Sequence, residues 1–360
     1  MDAIHTRLFN QGLISTKFHT IGEVVSALGA VQAQDYAGAK WALGLRLKDS
    51  TDSSIDQALA DGSILRTHLL RPTWHFVSPT DIRWLLMLTA PRVHAVNAFM
   101  ARKLEVDKPT LKKSYAVLEK SLQGNQYLTR TDIGYALEKS GVKKADGQRL
   151  VYIMMAAELD ALICSGPREG KQFTYALLDE RVPKVPEMKR EEALAELTKR
   201  YFSARGPATL QDFTWWSGLT LTDARNGIEM VKSHLTSETI NNQAYWFAET
   251  KSPTSKRSET AHLLPNYDEF IVGYTDRSFI YNTTHDKKLD DRGNVLFQNT
   301  IAVNGQIKGT WKRTVKKNEV LVELTPFIKF SKAEVQAVAT ATKKYGDFLG
   351  LPVRTTGVDA

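Results

Sequence analysis

Thr129-Arg130-Thr131-Asp132, with Ile133 and Leu137 behind it, is the stretch that decides the fold. A threonine hydroxyl at the head of a helix accepts a hydrogen bond from the backbone N–H three residues on. The acid at that position reaches back to the threonine N–H. The same box stands at Thr209-Leu210-Gln211-Asp212 and, more faintly, at Thr20-Ile21-Gly22-Glu23. Around each lie further apolar runs at helical spacing, followed by a basic β-hairpin. Helix, capped helix, helix and wing is the order of a winged helix, a unit that mostly grips nucleic acid. Three of them on one chain predict a protein that surrounds a duplex.

The composition agrees with a polyanionic partner. Lys+Arg 48 against Asp+Glu 40 leaves a formal charge of +8 and a pI of about 9.3, which favours nucleic acid or an anionic membrane surface. A length of 360 residues suits two or three domains, and a hydrophobic content of 42% argues against disorder. The single cysteine, Cys164, excludes an intrachain disulfide and any Cys-rich zinc or iron–sulfur site. Asp2, His5 and Arg7 interrupt any signal-peptide core. No window approaches the roughly 18 apolar residues of a membrane span. The expectation is a cytoplasmic protein without a membrane partner.

The chain divides into a first unit over 1–78, a connecting helix over 79–108, a second unit over 109–182, a third over 188–249 and a strand-rich module over 259–360. In the first unit, helical spacing covers Ile4 to Leu13, Ile21 to Val31, Trp41 to Leu47 and Ile55 to Leu59, before a hairpin of Leu65 to Leu70 and Trp74 to Val77. Ser78-Pro79 reads as cap and first residue of the connecting helix, which runs to about Val106 with Pro91 inside it. The second unit has helices over Leu111 to Leu122, Thr129 to Ser140 (ended by Gly141) and Gly147 to Ile163, then a hairpin of Cys164 to Gly166 and Lys171 to Leu177. Residues 101–150 hold 11 Lys/Arg against 6 Asp/Glu. The third unit repeats the plan through Tyr201, the Thr209 box, Ala224 to Val231, and strands near Ser237 and Tyr245. Residues 250–258 read as a linker. Strands are expected at Phe270 to Tyr274, Val295 to Val303, Ile307 to Lys312 and Val320 to Leu324, with Asn304-Gly305 as a hairpin turn and Ala333 to Phe348 as a closing helix. The fold class is α+β.

A search for catalytic residue types is mostly negative. There is no Gly-rich phosphate loop, no His-Glu-x-x-His and no Gly-x-Ser-x-Gly, and the histidines do not cluster at metal-ligand spacing, so no metal and no cofactor are expected. His75, in a strand beside Trp74, reads first as a packed core histidine and second as a supporting group. The segment Gln32-Ala33-Gln34-Asp35 lies between two apolar helices. Side chains at i and i+2 share a face only in extended chain. A helix ending near Gln32 would therefore let both carboxamides address one object. The competing reading makes them helix caps.

The chain resembles the tandem winged-helix DNA glycosylases of the AlkZ/YcaQ superfamily. Gln32-Ala33-Gln34 matches the Gln-Φ-Gln triplet of the AlkZ-like branch, with a small residue at Φ. The likeness continues through Leu70-Arg71-Pro72-Thr73-Trp74-His75-Phe76-Val77, Leu263-Leu264-Pro265-Asn266-Tyr267-Asp268-Glu269-Phe270 and Gly309-Thr310-Trp311-Lys312-Arg313. It implies a C-shaped array of winged helices, a β-barrel-like C-terminal module and removal of bulky N7-alkylated purines from double-stranded DNA. Such a purine is cationic and leaves without prior protonation by a strong acid. Two carboxamide dipoles then suffice to hold water and to stabilise an oxocarbenium-like sugar.

On this reading Gln34 positions the water, Gln32 adds electrostatic stabilisation, and Asp35 either contributes charge or caps the next helix. No lysine is placed as a Schiff-base nucleophile, so no strand-cutting step is expected. Whether the target base is flipped out stays open. Phosphate contacts are expected from Lys143, Lys144 and Arg149 in the second unit and from Lys312, Arg313, Lys316 and Lys317 beside the C-terminal hairpin. A monomer is expected, since no dimerisation helix is evident. The alternative function is a non-catalytic winged-helix DNA binder or transcription regulator.

Overall fold

The computed structural model describes residues 2–15, 17–249, 259–281 and 295–357, so the expected linker at 250–258 lies outside the described residues. The first unit contains α1 (Ala3–Asn10), α2 (Ile21–Leu28), β1 (Val31–Gln32), α3 (Tyr36–Leu45), α4 (Asp52–Asp61), β2 (Leu65–Leu69) and β3 (Thr73–Val77). Thr20 and Glu23 form the reciprocal box at the head of α2. The helix stops at Leu28, short of the expected Val31, because Gly29 adopts φ +74 and turns the chain. Val31 and Gln32 then add to β3, giving a three-stranded sheet in the order β1-β3-β2.

The connecting helix is α5 (Ile82–Lys103). It starts at Ile82 rather than at Pro79, with Asp81 as its first flanking residue. Ser78 Oγ lies 2.8 Å from Thr80 Oγ1 and accepts the Thr80 N–H at 3.3 Å, while the Ser78 carbonyl accepts the Ile82 N–H at 3.1 Å, so the serine closes the turn that leads into the helix. Asp81 makes no capping bond, because its carboxylate receives Trp84 Nε1 at 3.0 Å and Arg200 Nη1 at 2.6 Å. The regular helix therefore begins one turn later than the serine, next to the acid that Arg200 engages. The helix also ends before the expected Val106, and Glu105 takes φ +54.

The second unit comprises α6 (Lys108–Leu122), β4 (Leu128–Thr129), α7 (Arg130–Lys139), α8 (Gly147–Leu159), β5 (Ile163–Ser165), β6 (Thr174–Leu177) and α9 (Leu178–Arg181). The Thr129/Asp132 box forms as read, and Gly141 follows α7 at φ +82. The third unit comprises α10 (Arg190–Arg205), α11 (Leu210–Ser217), α12 (Leu221–Val231), β7 (Thr236–Ile240) and β8 (Gln243–Phe247). The acid of its box, Asp212, does more than close the cap. Its Oδ1 also accepts from the backbone N–H groups of Thr275 and Asp276, at 2.8 and 3.1 Å.

The last module contains β9 (Ala261–Leu264), α13 (Glu269–Val272), β10 (Thr300–Val303), β11 (Gln306–Val315), β12 (Val320–Pro326), α14 (Lys332–Leu349) and β13 (Val353–Thr356). The expected strand at Phe270 to Tyr274 is instead the short helix α13. Its apolar residues are all buried, and a continuous apolar run carries no period to separate strand from helix. Val295 to Phe297 is a turn of 3₁₀ helix, which leaves only Thr300–Val303 as strand. Asn304 and Gly305 take φ +50 and +77 in the β10–β11 hairpin, the left-handed pair such a two-residue turn requires.

The five strands form one sheet in the order β13-β12-β11-β10-β9, antiparallel except between β12 and β13. Among the described residues β13 and β9 are its two edges, so the sheet is open and the expected barrel is not closed. β13 was not foreseen. It depends on α14 returning the chain alongside β12.

Among the described residues, three hydrophobic clusters hold the molecule together. The first joins Val24, Leu28, Trp41 and Phe76 of the first unit to Ile301, Trp311, Val322 and Tyr345 of the last. The second joins the opposite face of the first sheet to α5 and to α10–α12. The third joins the second unit to the end of the connecting segment at Ala101, Leu104 and Val106. Trp41 Nε1 donates to the Leu263 carbonyl at 2.6 Å and Trp311 Nε1 to that of Leu264 at 2.9 Å, so both indoles are buried with their polar atom satisfied. The β1-β3-β2 sheet thus lies between two cores, and the glutamine segment is at its edge.

Candidate active site

The period of two along an extended chain sorts the residues of the first sheet. Val31, Ala33 and Phe76 enter the first core, while Ala30, Leu65, Leu69 and Val77 enter the second. Gln32 pairs with His75, and His75 pairs on its other side with Thr67. These three side chains therefore stand in a row on one face. Gln32 is only 6% exposed, whereas Gln34 faces solvent. The Ala33 N–H donates to the Trp74 carbonyl at 2.7 Å and continues the pairing, and Gln34 Oε1 lies 3.5 Å from the Trp74 N–H. Neither glutamine caps a helix: α2 ends at Leu28 with Gly29 as its flanking residue, and α3 is capped by Asp35, which accepts the Gly38 N–H at 3.1 Å.

An edge strand leaves one row of N–H groups unpaired, and a buried unpaired N–H is costly. Here Glu269 takes that of Gln32. One of its carboxylate oxygens accepts the Gln32 N–H at 2.8 Å. The other accepts from Arg205 Nη2 at 2.5 Å and Trp216 Nε1 at 3.0 Å. Arg205 also donates to the carbonyls of Leu28 and Ala30, at 2.7 and 3.1 Å. A fully buried carboxylate and guanidinium thus pin the chain on both sides of the α2–β1 turn. The neighbouring Asp268 is bound by both terminal nitrogens of Arg46, at 2.8 and 2.9 Å, which fixes the start of α13. Arg205 and Glu269 were not singled out from the sequence. The only signal for Glu269 was its place in the Asn266-Tyr267-Asp268-Glu269 stretch that carries the family likeness.

His75 is fully buried, and Nδ1 lies 2.9 Å from the Thr73 carbonyl. A carbonyl only accepts, so Nδ1 carries the proton and Nε2 of the neutral ring is a bare acceptor. Burial, and after it the charge of Arg71, pull the pKa of His75 down to about 3, so the ring is neutral near pH 7. Four polar atoms of this sheet are buried without a protein partner: Gln32 Oε1, Thr67 Oγ1, Thr73 Oγ1 and His75 Nε2. Such a polar row suits ordered water.

The remaining expected residues are dispersed. Asp35 is half-buried and lies 3.5 Å from Arg313 Nη2, so Arg313 of β11 reaches the glutamine segment from the C-terminal module. Lys312 and Lys317 are exposed, and Lys316 pairs with Glu319 at 2.7 Å. Lys143 and Lys144 are exposed in the α7–α8 connection. The Arg149 guanidinium is occupied by the carbonyls of Leu104 at 2.8 Å, Glu105 at 3.0 Å and Lys143. Arg149 therefore fastens the α5–α6 junction to the loop that presents the two lysines. Among the described residues, no group of three or more His, Cys, Asp or Glu is placed to hold a metal ion. No described helix is long and apolar enough to cross a membrane.

With this geometry in view, the comparisons with known proteins define the class: DNA glycosylases, hydrolases of the N-glycosidic bond that serve DNA repair. The model of the family described as DNA glycosylase AlkZ-like matches residues 25–348. The chain belongs to the AlkZ-like DNA glycosylase family. A curated relative, the interstrand DNA cross-link repair glycosylase of Streptomyces sahachiroi, is 23% identical over 349 residues, which is 92% of each chain. The solved structure of the Streptomyces sahachiroi DNA glycosylase AlkZ superposes with a TM-score of 0.80 at 21% identity, covering 99% of this chain and 98% of that one. That likeness establishes the fold, mixed helix and sheet.

Proposed function

We propose that this glycosylase removes N7-alkylated purines from double-stranded DNA by a metal-free, monofunctional hydrolysis in which Gln34 and Gln32 are the catalytic residues. The observation that carries the reading is the contrast between two amides on one pinned segment. Gln34 is open to solvent, while Gln32 is buried behind it with an unpartnered carbonyl oxygen. An N7-alkylated purine leaves as a neutral base, so the enzyme need not supply a strong acid. Charge develops on the sugar, and carbonyl dipoles held in place beforehand stabilise it without reorganising during the reaction. Gln34 Oε1 holds the attacking water; Gln32 Oε1 adds its dipole from below. His75 Nε2, locked as an acceptor, supports the buried end of this arrangement. Asp35, tied to the head of α3 and to Arg313, shapes the site rather than attacking the sugar.

The units over 1–78, 109–182 and 188–249 are read as three winged helices around the duplex, joined by the 79–108 helix and followed by the 259–360 module, in a chain that acts as a monomer in the cytoplasm. The positive surface at Lys143, Lys144, Lys312 and Lys317 supports phosphate contacts. The curated relative's name also supports a place for bulky adducts or crosslinks among the substrates. Incubation with a duplex carrying N7-methylguanine, followed by alkaline heating to cut abasic sites, tests the proposal. Cleavage at the lesion is the expected outcome. An intact strand after a long incubation with excess folded protein removes N7-methylguanine as a substrate.

A further inference from the structure

Outside the glutamine segment, one cluster of charge has no assigned work. Arg71 sits in the turn between β2 and β3, Trp215 near the end of α11, and Arg277 just beyond α13. Trp215 is 41% exposed. Arg71 lies 5.3 Å from its ring centre and Arg277 6.0 Å. Neither guanidinium forms a salt bridge among the described residues. Arg71 makes one long bond, 3.4 Å to the Trp215 carbonyl. Arg277 donates to the carbonyls of Ile271 and Thr275, and its Nη2 is buried without a partner.

The neighbouring carboxylates are already taken. Glu269 holds Arg205, Trp216 and Gln32; Asp212 holds three backbone N–H groups; Asp276 holds the Ser278 N–H and the Tyr245 hydroxyl. Two cations thus share one indole. Burial first, with the charge of Arg71 opposing Asp212 and Asp276, draws the Arg277 guanidinium below its ordinary range.

The backbone is arranged to hold Arg71 there. Leu70 adopts φ +60, a left-handed conformation that is strained for a leucine. The turn is closed by hydrogen bonds from the Arg71 N–H to Leu69 O and from the Thr73 N–H to Arg71 O, at 2.6 and 2.7 Å. Gly218, at φ +70, lets the Leu70 carbonyl approach so closely that a Cβ there would meet it at 2.3 Å. Only glycine allows α11 and this turn to lock together. The cluster is also tied to the site. Arg71 precedes by three residues Trp74, whose N–H faces Gln34, and Trp215 Nε1 donates to Val272 O of α13, the helix that begins at Glu269.

We propose that Arg71 and Arg277, set against Trp215, form a clamp for a single DNA phosphate next to the nucleotide presented to Gln34. Two unpaired guanidiniums beside a developing sugar cation would oppose the chemistry, and a bound phosphodiester cancels that field while fixing the strand. The proposal rests on the glycosylase reading for the position of the lesion, but not for the binding of DNA.

The test has two arms. On undamaged duplex, the slope of log affinity against log salt is compared for wild type and R71Q/R277Q. The loss of one phosphate contact lowers its magnitude by about 0.9. On a duplex carrying a tetrahydrofuran abasic analogue, each nearby phosphate is replaced in turn by neutral methylphosphonate. One position should weaken wild-type binding by about 10-fold or more, the scale of a charge-assisted hydrogen bond, and leave the variant unaffected. R71K/R277K keeps the charge, so it should retain the slope but lose affinity at that position. An unchanged slope in folded R71Q/R277Q overturns the clamp. So does a wild-type methylphosphonate scan with no sensitive position, which needs no variant to fold. If both arms succeed while N7-methylguanine is not excised, the clamp stands and the substrate reading falls.

Discussion

Gln34 faces solvent and Gln32 is buried, so replacing each tests a different part of the chemistry. Gln34→Ala should slow single-turnover excision of N7-methylguanine by about 10²-fold or more, the scale for losing one preorganised polar group. Gln32→Ala should be less severe, and the double variant should lose less than the product of the two because both groups act on one centre. Affinity for the same duplex should change little. Full activity in a folded double variant removes the catalytic assignment.

The buried histidines set a second prediction at this scale. In the unfolded chain a histidine takes up a proton near pH 6.5, but folded His75 does so only near pH 3, and folded His262 near pH 4. Between those limits the unfolded state binds more protons, so stability rises with pH there and is lost as the pH falls below about 6.5. Urea midpoints measured from pH 7.5 to 4.5 should fall, and His75→Gln should flatten that decline. A midpoint independent of pH, or an unaltered slope in the variant, contradicts the buried neutral ring.

Among elements, β1 is the informative one. Two residues long, it persists because the Arg205–Glu269 pair and β3 satisfy its backbone from opposite sides. A buried ion pair adds little net stability when intact, yet breaking it leaves a charge without compensation. Glu269→Gln should therefore lower unfolding free energy by about 3–5 kcal/mol in urea titrations. It should also slow excision per folded molecule, since the one remaining carbonyl oxygen goes to Arg205 and Trp216 and the amide NH2 then faces the Gln32 N–H, which it cannot accept. A loss below about 1 kcal/mol would mean that solvent reaches the pair.

The helix caps carry a different lesson. The boxes at Thr20, Thr129 and Thr209 form as read, but the same device also opens α4, α12 and α14. A box marks where a helix begins and not which unit it belongs to. Helix starts were legible because capping is settled within four residues. The start of α5 was placed one turn early because the Arg200 that engages Asp81 lies 119 residues away and meets it only in the folded chain.

For the whole molecule, the excess of basic residues predicts weak, sequence-tolerant binding to undamaged DNA with steep salt dependence. Phosphates neutralised by Lys and Arg release counterions, and each contributes to the slope. Fluorescence anisotropy from 50 to 200 mM salt should show the affinity falling by an order of magnitude or more. Selection of a discrete palindrome from random sequence would instead favour a regulator.

The sequence by itself determined the α+β class, most helix and hairpin positions and the Asn304-Gly305 turn, since capping, turn chemistry and alternation act over a few residues, but it left Gln32 and Gln34 between an extended pair and helix caps. Only the tertiary structure decided the rest. It showed that Gln32 is buried and Gln34 is not, that the apolar run after Asp268 is helical, and that the last sheet stays open with β13 at its edge. It also placed Glu269 beneath Gln32, 237 residues away in sequence. Burial and charge pairing depend on which distant segments meet, and a local pattern holds no record of that distance.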